Sequence, residues 1–195
     1  MRSLTLGFAL AAIAIGTVSA QAPTEKQPAP AVPSLDDAMI FAMLEKANSA
    51  EIELGELAAR TGQSTEVRDL GKNFAAAHTT ARQKARDLAV KIGVTPGKPV
   101  MDSTMKPADD MSKDASRDYA ASLNKLKGLK GTEFDVAFVA REIDHHTKML
   151  DAVENKFLPA AQNPELKALL TELKPSLQSH LDQARALEKK LALSQ

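Results

Sequence analysis

The sequence predicts an all-α protein built as a four-helix bundle, and three observations carry that prediction. Hydrophobic residues make up 44% of the chain and aromatics only 4%, with no Trp and one Tyr, an Ala- and Leu-weighted usage that favours helix over sheet. Between Phe134 and Phe157, the residues Val136, Val139, Ile143, His146, Leu150, Val153 and Phe157 recur at helical spacing, forming an apolar stripe that has to be buried against other helices. Three further stretches of similar length carry stripes of the same kind, with Gly and Pro punctuating the chain between them. One domain is the simplest reading of 195 residues.

The chain opens on Arg2, an apolar run from Leu4 to Val18, and Val18-Ser19-Ala20, whose small residues match a signal-peptidase site. Residues 1–20 are therefore expected to be a secretory signal. The run is shorter than the roughly 20 residues that span a bilayer, so no transmembrane segment is expected after cleavage. Cleavage after Ala20 leaves 24 basic and 25 acidic side chains, a net charge of −1 (24 − 25), which argues against electrostatic capture of nucleic acid or anionic lipid. Cysteine is absent, which excludes disulfides and lipid attachment at a thiol, and a periplasmic location fits these features. Residues 21–34 hold Pro23, Pro28, Pro30 and Pro33 among Ala, Gln and Lys, and read as a flexible tether ahead of a folded domain over 35–193.

The first helix is expected to start after Ser34, with Asp37 completing a variant capping box, and to end at Gly62, with Ile40, Met43, Ala47, Ala50, Leu54 and Leu57 facing inward. Glu51 and Glu53 flank that stripe. The second starts at Ser64 or Thr65 and ends at Gly93, with Val67, Leu70, Phe74, Ala77, Ala81, Leu88 and Ile92 inward and His78 at the edge of the buried face. Pro96, Gly97, Pro99 and Pro107 then mark a long connection, followed by a more polar, peripheral helix over 108–127. Gly128 and Gly131 precede Thr132, the expected N-cap of the third bundle helix, with Asp135 in its first turn. That helix ends near Phe157 and Pro159. The fourth opens with Asn163 as N-cap and Pro164 at the first helical position, and carries Leu166, Leu170, Leu173, Leu177, His180, Ala184, Leu187 and Leu191 inward. Pro175 lies inside it, where it removes a backbone donor and is expected to kink the helix. The long connection either stays at one end of the bundle or crosses its length.

Three histidines fall near mid-helix on three different helices, so His78, His146 and His180 share one central layer whichever way the helices run. Ala47 and Ala50 lie at the same level of the first helix and leave space there. Three imidazoles with room between them suit a transition metal such as Zn, Fe, Cu or Mn better than Ca or Mg. Glu142, one turn before His146, is the nearest carboxylate, and Glu51 or Glu53 is placed to reach over from the first helix. The competing interpretation is that each histidine is structural, bonded to a backbone carbonyl or to water. His145 points away from the stripe and is expected in solvent, although Glu142 and His145 spell Glu-x-x-His. A dinuclear carboxylate site needs further Glu on the other helices; the residues before His78 and His180 supply none, so ferroxidase chemistry is not expected. No phosphate loop or Ser/His/Asp arrangement can be assembled, and no enzymatic activity is expected.

Glu51-Ile52-Glu53-Leu54-Gly55, Val67 to His78, Gly131 with Phe134-Asp135 and His146, and Leu173-Lys174-Pro175 to His180-Leu181 together resemble the domain of unknown function 4142 family, exported bacterial proteins often labelled predicted outer membrane protein. The resemblance runs from about Met39 to Leu191 and implies a ferritin-like four-helix bundle, which favours a crossing connection. The family commonly carries Asp where this chain has Ala77, and Tyr where it has Phe138. The outer-membrane label finds no support in the residues, which lack the alternating strands of a barrel. Two classes of function stay open: a periplasmic metal-binding bundle for storage, buffering or stress protection, and a non-catalytic structural or interaction module of the envelope. Bound metal favours the first, a continuous exposed apolar patch the second.

Overall fold

The computed structural model describes residues 35–96 and 107–193, the stretch 107–115 by its backbone alone. The expected signal over 1–20, the tether over 21–34 with Ser34, and Gly97 and Pro99 of the connection lie outside the described residues. Every regular element among the described residues is helical.

Helix α1 spans Asp37–Thr61, and its N-cap is Asp36, whose Oδ1 accepts from Met39 N at 2.8 Å. The start thus falls two residues beyond the expected Ser34. Helix α2, Thr65–Lys91, is capped as expected by Ser64, whose hydroxyl accepts from Val67 N at 3.2 Å, and the chain leaves it through Gly93 at φ +71. Helix α3 spans Pro107–Lys127 and α4 spans Gly131–Ala152. A π-helical turn, Val153–Phe157, and the single turn α5, Leu158–Ala160, prolong α4 without a break. Helix α6, Pro164–Leu193, begins as expected, with Asn163 Oδ1 accepting from Glu165 N at 2.8 Å and Leu166 N at 3.3 Å, and it runs on through Pro175.

Thr132 does not cap α4: the N-cap position is Lys130 and no side chain bonds there. Asp135 serves a different helix. Its two carboxylate oxygens accept from Gln63 N at 2.7 Å and Ser64 N at 2.8 Å, satisfying backbone donors where the chain turns from α1 into α2.

Contacts at the helix ends define the topology. Asp135 brings the start of α4 to the α1–α2 turn, whereas Asp37, at the start of α1, accepts from Gln162 N and Asn163 N just before α6. Lys91, at the end of α2, pairs with Glu165 at the start of α6. Helices α1 and α6 therefore run one way and α2 and α4 the other. The connection between α2 and α4 has to cross the length of the bundle, which gives the ferritin-like order. Helix α3 lies on that crossing path, with Leu126 buried and the Tyr119 hydroxyl donating to Glu53 on α1.

The apolar core is divided in two. One cluster gathers Ile40, Phe41, Leu44, Val153, Phe157 and Leu170, and the other Leu54, Val67, Phe74, Phe134, Phe138 and Leu187. On α1, α2, α4 and α6 the residues between these clusters are polar and buried: Asn48 and Glu51, His78, Glu142 and His146, and His180. This layer rotates two of the expected stripes. On α1 the buried line runs Phe41, Leu44, Asn48, Glu51, Gly55 and Ala58, while Met43, Ala47, Ala50 and Leu57 are only partly covered. On α4 it runs Phe134, Phe138, Glu142 and His146, while Val136 is 41% exposed. Helices α1 and α2 touch backbone to backbone where they cross; a Cβ on Gly71 would lie 2.5 Å from Gly55 O, so only glycine fits.

Candidate metal centre

The three mid-helix histidines converge. Ring centroids are 5.7 Å apart for His78 and His146, 5.2 Å for His78 and His180, and 5.1 Å for His146 and His180. One nitrogen from each ring lies within 4.8 Å of the others. Phe74, one turn before His78, packs against His180 with centroids 4.4 Å apart and against His146 at 5.2 Å, so one wall of the group is apolar.

The ring tautomers follow from the neighbouring carbonyls. Asn48 Nδ2 donates to Leu44 O at 2.7 Å, which turns the Asn48 carbonyl oxygen toward His78 Nδ1 at 2.9 Å. His78 Nδ1 therefore carries the proton and Nε2 keeps its lone pair. That Nε2 is buried and has no hydrogen-bond partner. His146 Nδ1 donates in the same manner to the Glu142 backbone carbonyl at 2.9 Å, leaving its Nε2 as a lone pair 3.2 Å from His180 Nδ1. A carbonyl behind the ring is the usual way a protein orients a metal-binding histidine.

Metal–nitrogen bonds of about 2.0–2.1 Å place neighbouring nitrogens of a tetrahedral site roughly 3.3 Å apart. The 3.2 Å between His146 and His180 already matches that edge. Burial disfavours the charged form of every ring: His78 is pushed down to about 3 and His180 to about 4, and His146 is lowered too. The rings are neutral at pH 7, the protonation state in which imidazole binds metal. The orphaned His78 nitrogen and the preset lone pairs fit a transition ion held by His78, His146 and His180.

The carboxylates sit differently from expectation. Glu51 does not flank the core but is 1% exposed, level with Glu142. Arg141 Nη1 donates to Glu51 Oε1 and, at 3.0 Å, to Glu142 Oε1. Burial opposes the charge on Glu51, but adjacent His145 and Arg141 outweigh it and hold the carboxyl well below its usual range. Glu142 is pushed the other way: burial, and then the Glu51 charge, raise its pKa well above the usual carboxyl range. Glu142 Oε2 lies 3.5 Å from His146 Nδ1, behind the ring and not on the side facing His78 and His180. Glu51, Glu142 and His146 thus form a second close group, with Arg141 already supplying a cation between the carboxylates.

Two placements overturn the expectation outright. Glu53 is exposed and bonded to Tyr119 and Lys127, because two residues beyond Glu51 turn a side chain to the opposite side of a helix. His145 is not in solvent: its side chain is 21% exposed and Nε2 lies 3.3 Å from Glu51 Oε1. His78, expected at the edge, is 6% exposed. Sequence reasoning missed Asn48 and Arg141. Asn48 was detectable as the residue continuing the spacing from Phe41 and Leu44 to Glu51, and Arg141 as the one cation beside Glu142.

Two solved structures share the fold. The DUF305 fragment from Deinococcus radiodurans has a TM-score of 0.62 at 16% identity, covering 82% of this chain and 99% of that one. A DUF305 protein from Streptomyces coelicolor has a TM-score of 0.60 at 16% identity, covering 83% and 96%. No curated protein sequence matches the chain. The family model for the domain of unknown function DUF4142 matches residues 21–187, most of the sequence and all of the polar layer, and the chain belongs to that family.

Proposed function

We propose that this is an exported, periplasmic helical-bundle protein that binds one transition metal ion through His78, His146 and His180 and serves in storage, buffering or stress protection. The observation that carries the reading is the pair of preset lone pairs. His78 and His146 each spend one ring nitrogen on a carbonyl and keep the other as a lone pair; that of His146 lies 3.2 Å from His180 Nδ1, and that of His78 is buried without a partner. A buried acceptor without a donor costs roughly 1–3 kcal/mol, and a metal bond removes that cost. When bound, the ion supplies Lewis acidity or redox chemistry according to its identity. Asn48 and the Glu142 carbonyl orient the ligand rings, and Phe74 keeps water from one side.

The test is titration of metal-stripped protein at pH 7 with Zn, Fe, Cu and Mn, comparing wild type with His146→Ala and His180→Ala. Saturable binding by wild type, weakened in both variants, is expected. Equal binding by all three proteins, or none by wild type, refutes the assignment. For export, the mass of the secreted product should correspond to a start at Gln21; retention of Met1 to Ala20 would overturn it.

A further inference from the structure

We infer that a metal held by the three histidines keeps an open coordination face, and that this face takes a small inorganic ligand of about three heavy atoms or fewer. The inference rests on the metal reading above and extends it from the ion to the ligand class.

A cavity of about 40 Å³ lies against the histidines, with His78 and His180 forming part of its wall. His78 Nε2, the unpartnered buried nitrogen, belongs to that wall residue. The wall includes Ala47 on α1 and Ala77 and Ala81 on α2, at positions a larger aliphatic residue would fill, beside Leu44, Met149 and Leu177. Its lining runs outward from buried His78 to exposed Ser176, so the space has a side toward solvent. His146 does not line it, so an ion held by all three rings would sit at the inner edge of the space.

Three protein ligands and an adjoining space is the pattern of a site with a free position; a closed structural site uses four protein ligands. The volume limits what enters. At about 10–15 Å³ for each water-sized occupant, 40 Å³ holds about three waters or one triatomic ion. A space of this size favours such small occupants over phosphate or an organic carboxylate. The ligand class is therefore water or hydroxide and di- or triatomic species such as dioxygen or azide.

The experiment loads full-length mature protein with Co(II), whose visible bands report coordination, and titrates azide and then phosphate. Azide should shift the bands saturably and phosphate should not. In Ala81→Leu, an isobutyl group occupies the cavity; azide affinity should fall by about tenfold or more, roughly 1.4 kcal/mol, while Co(II) affinity stays within about twofold. Cobalt bands that azide leaves unchanged in wild type would show a closed site and overturn the inference while the metal reading stands. An equal response to phosphate would overturn the size limit. Absence of any cobalt band in wild type would refute the metal reading itself, and the inference with it. The wild-type titration decides the matter even where Ala81→Leu folds poorly.

Discussion

Acid should unfold the metal-free protein through its histidines, at a pH where exposed carboxylates are still ionised. In the folded chain burial pushes His78 to about 3 and His145 and His180 to about 4, against about 6.5 for an unfolded chain. These folded values are depressed, so the unfolded state binds more protons throughout the interval between them. Stability is then full above about pH 6.5 and is lost as pH falls toward 4. Between pH 7 and pH 5 each of the three rings contributes about 2 kcal/mol to that loss. Glu142 has the opposite sign: its folded value is raised, so it opposes part of this uptake. The net uptake of two to three protons gives a slope of roughly 3–4 kcal/mol per pH unit near pH 5, steep for a domain with a total stability of about 5–15 kcal/mol. Urea denaturation followed by circular dichroism at half-unit steps from pH 7 to 4 measures the slope directly. A slope below one proton across that window would mean that the imidazoles are hydrated in the fold and that the polar layer is not dry.

The divided core and the preset rings make further predictions. Phe138→Ala should destabilise the fold by about 3–5 kcal/mol, because Phe138 is fully buried, whereas Val136→Ala should stay within about 0.5 kcal/mol; chemical denaturation of both variants checks the face of α4 that is buried. Asn48→Ala removes the carbonyl that orients His78 and should weaken metal affinity by about 10–100-fold, while Glu53→Gln, which alters an exposed residue, should leave it unchanged in the same isothermal titration.

How much was legible in the sequence can be argued helix by helix. Ser64, Asn163 and Gly93 announced their helix ends because capping and the left-handed turn are local chemistry, settled within a few residues. The three histidines could be assigned to one layer because depth along a bundle follows from counting residues. Rotation about each helix axis was less legible. A stripe drawn through apolar residues alone skips Asn48, Glu51 and Glu142, which are as buried as their leucine neighbours, and so it turned α1 toward Ala47 and Ala50 and α4 toward Val136. His145 was misplaced for the same reason: with the true face centred on Glu142 and His146, it lies at the margin of the core, not behind it. The crossing direction of the long connection depended on partners distant in sequence, Asp135 with Gln63 and Lys91 with Glu165, which no local pattern announces.

The polar layer is costly in a way that bears on its purpose. Two apolar clusters stacked end to end would pack as one if leucines joined them, and replacing buried ionic groups by apolar residues of similar volume is often neutral or stabilising. The chain instead buries an arginine, two carboxyl groups and three imidazoles at one level, and leaves His78 Nε2 without a partner. The Glu51–Arg141–Glu142 group is only partly paired: the guanidinium donates to one oxygen of each carboxyl group, while Glu51 Oε2 and Glu142 Oε2 are buried without a partner. In the histidine group, His78 and His146 each commit one ring nitrogen to a carbonyl, so their other nitrogens are both acceptors and cannot satisfy each other. One proton can sit between His146 and His180, and that proton does not reach His78, whose Nε2 has no partner. A cation is the partner that the converging nitrogens of His78, His146 and His180 can share in place of that proton.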